Sequence, residues 1–530
     1  MSTDKTSHHK EHKAIAKSAG VIGFATFCSR VLGFIRDIII ARLFGVYIYA
    51  QAFVIAFKIP NLFRDLVGEG ASNAAIVPVF SEYNAKHTKE EFWELANVVL
   101  NLLLVVVSLI TILGIIFSPV IVRLIAPGFI AFPDKLEVTI RLNRIIFPYI
   151  LLISLAAYSM GILNSLKHFA VPAFAPCLLN ISIIVFALLF GEGIKGLALG
   201  VLVGGVLQLA IQIPVLYKKG FRLNLFKRFK HPAAKTIGKL MVPRVFSSGI
   251  YQLNNFVDSI FGSLAWIVGD GGVAVLYFSY RLIQFPLGIF SFALSQAILP
   301  TFSVQALEDD LSKLRKTLSW GLRAIAFVLI PASAAFMSLS KIIVTSIFQG
   351  GRFDTASSIL TADALFYFSI GLFAYGATKV LQSCFFALKD TVTPMKLAFL
   401  ALILNIILNF VFMYPLKIAG IALATSISGT VTFVLMVVLL KKKLGDFEIA
   451  RVINSLIKIL AASICMGVVC VFISKYNFVC CVGYVGRFVN LGIILLLGFI
   501  SYIVFCFIFR VSEMRDLYRW VLKKRSLECK

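Results

Sequence analysis

The chain has 530 residues, 59% of them hydrophobic and only 14% charged, with a formal net charge of +26. A soluble protein of this length carries about 25% charged residues, so a water-soluble globule is excluded and the class is a polytopic membrane protein. The basic excess does not indicate nucleic acid, because Lys and Arg gather in alternate loops between apolar runs, the positive-inside pattern of membrane proteins.

Residues 1–17 form a basic head with Lys5, Lys10, Lys13 and Lys17. The apolar stretch behind it is longer than the roughly 7 to 15 residues of a signal-peptide core, so a retained cytoplasmic tail is expected. His8, His9 and His12 read as part of that solvated tail rather than as a metal site. Spanning a bilayer takes about 20 residues. Hydropathy predicts fourteen such spans, at 18–45, 48–68, 92–126, 137–166, 172–190, 194–217, 236–268, 272–302, 318–348, 356–387, 394–413, 418–440, 452–473 and 488–510. Each run is too long and continuous for a barrel strand, so all are expected to be helices. The nine cysteines mostly lie inside these runs without zinc spacing and read as small packing residues.

Loop charge sets the expected orientation. The segment 218–239, the cluster Lys441-Lys442-Lys443 and the tail after Arg510 are basic, whereas the alternate loops carry little. About 30 Lys and Arg fall on one side against about 6 on the other, which places both termini in the cytoplasm. The basic loop is most simply a topology determinant.

An internal repeat is visible. ASNAAIVPVFS (71–81) matches ALSQAILPTFS (293–303), and KHFAVP (167–172) matches KDTVTP (389–394), both at an offset of 222 positions. Two matches at one offset imply two copies in the same orientation, as in repeats related by an axis along the membrane normal. The expected organisation is an N-lobe of six helices (18–217), a basic cytoplasmic loop (218–235) and a C-lobe of six helices (236–443). Two further helices (444–510) and a cytoplasmic tail (511–530) follow. A transporter built this way keeps its site in a cleft between the lobes.

The candidate site comes from charge. Arg30, Arg36, Arg42, Lys58 and Arg64 all lie within the first two spans. A charge at bilayer depth costs roughly 2.5 to 3.5 kcal/mol, so it normally faces an interior pathway. Arg30 and Arg36 are six positions apart, about 9 Å along a helix and roughly 120° round it, with Gly33 between them as a candidate bend. Arg64 precedes the break Gly68-Glu69-Gly70, and Arg281 lies in FSYRLIQFPLGIF (278–290) of the second lobe. The acids of the spans, Asp37, Asp65, Glu69, Asp258 and Asp363, are outnumbered. The competing reading is local ion pairing, Arg36 with Asp37 and Arg64 with Asp65 or Glu69. Guanidinium forks suit bidentate binding of phosphate or carboxylate, so an anionic ligand is expected. There is no GxxxxGK[ST] loop for ATP, no HExxH helix and no nucleophile–base pair, so no enzymatic activity is expected.

These residues resemble a known family. SRVLGFIRD (29–37), FKIPNLFR (57–64) and EGA (69–71) are similar to the amino-terminal signature of the MurJ, or MviN, flippases of the multidrug/oligosaccharidyl-lipid/polysaccharide exporter superfamily. The similarity continues through PGF (127–129), FPYILLISL (147–155), PAFAPCLLNISI (172–183), VGGVLQL (203–209) and RLIQFPLG (281–288). The resemblance implies transport of lipid II, the undecaprenyl-pyrophosphate-linked disaccharide-pentapeptide, from inner to outer leaflet. It further implies fourteen helices in two lobes around a cationic cavity, with a lipid-tail groove on the last two. Substrate-binding roles would fall to Arg30, Arg36, Arg64 and Arg281, supported by Ser29, Asp37, Lys58 and Glu69. No cofactor or metal is expected, and coupling would be to the membrane potential or an ion gradient. Expected partners are lipid II, membrane lipids and cell-wall synthesis proteins. Gln51, Tyr280 and Gln284 stand where the family often has acids, so any mechanism relying on those carboxylates is in doubt. The alternatives are a flippase for another polyprenyl-linked oligosaccharide, a multidrug exporter of the same superfamily, and a non-transporting scaffold for cell-wall synthases. The basic excess disfavours the exporter, which would need an acidic cavity for cationic drugs.

Overall fold

The computed structural model describes residues 2–64, 75–191, 193–225, 228–476 and 483–514, the side chains of 2–19, 242–252 and 255 excepted. No strand occurs among the described residues, and the chain divides into two compact units, Met1–Ser263 and Leu264–Lys530. Each of the fourteen expected spans overlaps helix among its described residues, several of them interrupted, at Phe117, at 147–148, at 211–212, at 263–264 and at Gly371. By length and apolarity alone nine described helices suffice to cross a membrane, or ten when a pair bent by 44° is one span. The all-helical membrane architecture is therefore established, and a total of fourteen is consistent with it.

The first unit holds α1 (Ser2–Phe44), α2 (Ile48–Phe63), α3 (Val77–Lys86), α4 (Lys89–Ile116), α5 (Ser118–Ile125), α6 (Pro133–Ile146), α7 (Tyr149–Ser165), α8 (Ala170–Phe190), α9 (Ile194–Ala210), α10 (Ile213–Lys218) and α11 (Pro232–Gly262). Helix α4 starts at a capping box, Thr88 accepting from Glu91 N–H and Glu91 accepting from Thr88 N–H. In lipid, helices gain little from apolarity itself and associate through close backbone approach. On α9, Gly196, Gly200 and Gly204 recur every four residues against α8, and a Cβ at Gly200 would fall 2.8 Å from the Ile183 Cα. Beneath, a core of Phe80, Phe92, Tyr158, Ile162, Leu216 and Ile237 joins α3, α4, α7, α10 and α11. The Tyr158 hydroxyl donates to the Ala96 carbonyl at 2.5 Å.

The second unit holds α12 (Ala265–Val268), α13 (Gly272–Pro286), α14 (Phe292–Gln305), α15 (Ser312–Ile347), α16 (Thr355–Ile370), α17 (Leu372–Ala387), α18 (Val392–Leu444), α19 (Ile449–Ile473) and α20 (Tyr484–Ile508). The 53-residue α18 is two helices merged across Lys417, whose backbone is left-handed (φ 52, ψ −128), so it contains two of the expected spans. Its interior is polar, with Asn409 donating to Asn405 at 2.7 Å and Asn405 to Thr425 at 3.0 Å.

The repeat is present in the backbone. Helices α7 and α17 both end in a left-handed lysine, Lys167 and Lys389, each at φ 58. The His168 N–H then returns to the Leu163 carbonyl at 2.8 Å, and the Asp390 N–H to the Phe385 carbonyl at 2.9 Å. These are the six-to-one bonds of a Schellman ending, at the 222-position offset read from the sequence.

Candidate functional site

Helix α1 runs unbroken through Gly33, so the candidate bend is not a break in the helix. What Gly33 provides is room. Asn180 of α8 lies against it, and its Nδ2 donates to the Ser29 carbonyl at 3.1 Å and the Pro176 carbonyl at 3.3 Å. The Asn180 Oδ1 accepts from Arg36 Nη1 at 3.0 Å. Arg36 also donates from Nη2 and Nε to the Asp37 carboxylate at 2.8 and 3.0 Å. Arg36 is 4% exposed and Asp37 is fully buried. The local pairing that the sequence offered as the competing reading is thus adopted by Arg36, reinforced by a residue 144 positions away. A buried pair of this kind, with its remaining donors satisfied, fixes one helix on another.

Arg30 differs. It lies six residues earlier on the same helix and is exposed, next to the half-buried Ser29. The two arginines therefore have different surroundings within the first unit: one guanidinium is held inside the α1–α8 packing, the other reaches the surface of the unit.

Arg64 is half-buried at the C-terminal cap of α2. Its candidate partners Asp65 and Glu69 lie outside the described residues. One and a half turns earlier, Lys58 donates to the Ser259 hydroxyl of α11 and sits 5.5 Å from the Phe256 ring, with the Asp258 charge nearby. Lys58 thereby ties α2 to α11 across a small apolar cluster of Ile59, Val107, Phe147 and Ile150.

In the second unit Arg281 is half-buried on α13. Its Nη1 donates to the Gln284 Oε1 at 2.9 Å, and its guanidinium lies 5.6 Å from the Tyr277 ring. Gln284, which replaces a common acid of the resembled family, thus works as a neutral acceptor. Pro286 ends the helix, and a π-helical turn follows at Leu287–Ser291, a local widening often found at functional sites. Tyr280 packs on Phe368 at 5.4 Å, and Gln51 is buried in α2.

Three groupings were not singled out from the sequence. Asn180 stands within PAFAPCLLNISI, and the usable signal was a lone amide in an apolar span, which must find a partner. Asn97 and Asn101 of α4 clasp the basic loop: Asn97 donates to the Arg222 carbonyl at 3.0 Å and accepts from Asn224 N–H at 2.8 Å, and Asn101 donates to the Asn224 and Arg228 carbonyls. Arg228 in turn pairs with Glu94. Gly220, Arg222, Asn224 and Arg228 of the loop line a pocket of about 330 Å³ together with Trp93, Asn97 and Asn101 of α4. Finally, Arg323 of α15 pairs at 2.5 Å with Glu513, beyond α20, both nearly buried.

Comparison with known proteins gives the family and the fold. A family profile described as "Lipid II flippase MurJ" matches residues 40–510. A probable lipid II flippase MurJ of Buchnera aphidicola is 34% identical over 502 residues, 94% of this chain and 97% of the relative. Its counterpart in Vibrio cholerae is 33% identical over 437 residues, 80% and 82% of the two chains. A solved structure of a lipid II flippase MurJ in an inward closed conformation superposes with a TM-score of 0.79 at 27% identity, covering 94% of this chain and 99% of that one. An inward-facing multidrug transporter of the MATE family shares the fold at a TM-score of 0.66 and 16% identity, covering 79% of this chain and 95% of that one. A buried Arg–Asp–Asn pin, a second arginine at the surface of the same helix and a repeated two-unit helical chain are thus found in a protein that belongs to the MurJ lipid II flippase family.

Proposed function

We propose that this multi-pass membrane protein moves lipid II from the inner to the outer leaflet, with arginines neutralising the pyrophosphate. Family membership along nearly the whole chain supports the substrate. The observation that carries the site is the contrast on α1, where Arg36 is enclosed while Arg30 surfaces from an apolar helix. Arg30, Arg64 and Arg281 are proposed to contact the diphosphate, because charge-assisted bonds from guanidinium forks are the strong ones. Arg36, with Asp37 and Asn180, is proposed to hold α1 so that Arg30 and Ser29 are presented. Lys58 is proposed to position α2 against α11, and Glu69 is proposed as a supporting residue.

Transport by alternating access follows from repeat-built transporters generally. Both termini are proposed to be cytoplasmic from the loop charge. An inside-negative potential favours outward movement of an anion by about 2.3 kcal/mol per charge per 100 mV, so no ATP site is needed, and an ion gradient is the alternative drive. The polyprenyl tail is proposed to lie along α19 and α20, whose outer faces carry Ile457, Val468, Phe472, Leu496 and Phe499 exposed. Cell-wall synthesis proteins are the proposed protein partners. The test is flipping of labelled lipid II in reconstituted vesicles. Arg30→Ala and Arg281→Ala are expected to slow it strongly, and unchanged rates in both would remove the proposed site.

A further inference from the structure

The two ends of α18 meet beside the turn at Asp390. A pocket of about 440 Å³ opens there, lined by Thr393, Lys396, Leu397, Leu439, Lys442 and Lys443. Its three ammonium groups are not equivalent. Lys443 is bonded to the Asp390 carboxylate and lies 5.9 Å from the Phe385 ring. No described acid pairs with Lys396 or Lys442, so two positive charges stand over leucine walls without compensation. An inorganic anion would meet the cations but lose its water against leucine. An amphiphile with one negative charge at the boundary satisfies both halves.

The depth also fits. Phe399, Leu400 and Val438 are exposed within about one turn of the lysines, so the outer surface passes there from side chains suited to hydrocarbon to side chains suited to headgroups. Basic pockets between membrane helices at that level recognise anionic lipid headgroups. We propose that this pocket binds one anionic phospholipid, its phosphodiester between Lys396 and Lys442 and its upper acyl chain along Leu397 and Leu439. This lipid is not the transported cargo. It is a bound component that bridges the two ends of α18, and it does not depend on the flippase reading.

The test is native mass spectrometry of the purified full-length protein in detergent, titrated with phosphatidylglycerol, with phosphatidylcholine of the same chains and with inorganic phosphate. One tightly retained phosphatidylglycerol is expected. Two lysines near a membrane surface are together worth about 30-fold in affinity, so K396Q/K442Q is expected to weaken retention by about that factor. K396R/K442R is expected to preserve it, and so is K441Q, which lies outside the pocket. Equal retention of phosphatidylcholine would overturn the proposal. So would displacement of the lipid by inorganic phosphate alone, unchanged binding by the double Gln variant, or an equal loss in K441Q.

Discussion

Replacing Asp37 by Asn separates the enclosed Arg36 from Arg30, the arginine proposed to bind, on the same helix. Arg36 and Asp37 are 4% and 0% exposed and meet at 2.8 Å, so Asp37→Asn leaves a guanidinium in a dry interior with only part of its partners. Breaking a buried pair from one side costs about 3 to 5 kcal/mol. Removing both charges, as in R36M/D37L, avoids the stranded cation. It leaves the Asn180 oxygen without its Arg36 donor, a cost of about 1 to 3 kcal/mol. The double variant is therefore expected to be more stable than Asp37→Asn. Arg30→Ala, at an exposed position, is expected to cost less stability than Asp37→Asn at a buried one. Its transport should nonetheless fall about 10- to 150-fold, the worth of about 1.5 to 3 kcal/mol in a bond to a charged group. Denaturant unfolding in detergent reads the first quantity and vesicle flipping the second. The reasoning is refuted if Asp37→Asn unfolds with wild-type stability, or if Arg30→Ala is as destabilised as Asp37→Asn.

Three further outcomes follow from packing and charge. Gly200→Ala should force α8 and α9 apart, because its Cβ would lie 2.8 Å from backbone; overpacking costs about 1 to 3 kcal/mol. Gly33→Ala, whose nearest contact is 3.7 Å, should unfold like wild type, and equal losses in the two would contradict the close-approach account. Burial opposes ionisation of Asp390, yet bonds from Lys443 and Thr393 outweigh it and hold the carboxyl at about 2 against an ordinary 3.8. With the folded value depressed, this stabilisation is complete above the ordinary value and is lost as pH falls through about 2. Melting temperatures between pH 6 and 3 should therefore drop more in the wild type than in Asp390→Asn, and parallel curves would count against the turn's role. Glu513→Gln should leave Arg323 unpaired inside the second unit at about 3 to 5 kcal/mol. Limited proteolysis should then cut sooner after α20, and an unchanged cleavage rate would show the pair to be dispensable.

Much of the molecule was legible from residue types in order. Apolar runs of bilayer length leave a helix as the simplest way to satisfy backbone groups in lipid, so the span positions followed from hydropathy. The repeat was readable because the turn after α7 and the turn after α17 need the same backbone, and each retains a lysine and a proline at matching offsets. The cations of α1, α2 and α13 were visible because charge in hydrocarbon is costly and therefore rare.

What an individual cation does could not be read this way. Arg30 and Arg36 are chemically identical and share a helix. Their division into a surfaced and an enclosed guanidinium depends on Asn180, which only packing of α8 against Gly33 brings within 3.0 Å of Arg36. Likewise the placement of Arg222, Asn224 and Arg228 depends on Asn97 and Asn101, and Arg323 on Glu513 some 190 positions away. Composition and periodicity determine which segments enter the membrane, because transfer free energy belongs to each segment separately. Pairing of buried polar groups belongs to neighbours distant in sequence, and the tertiary structure alone decides it.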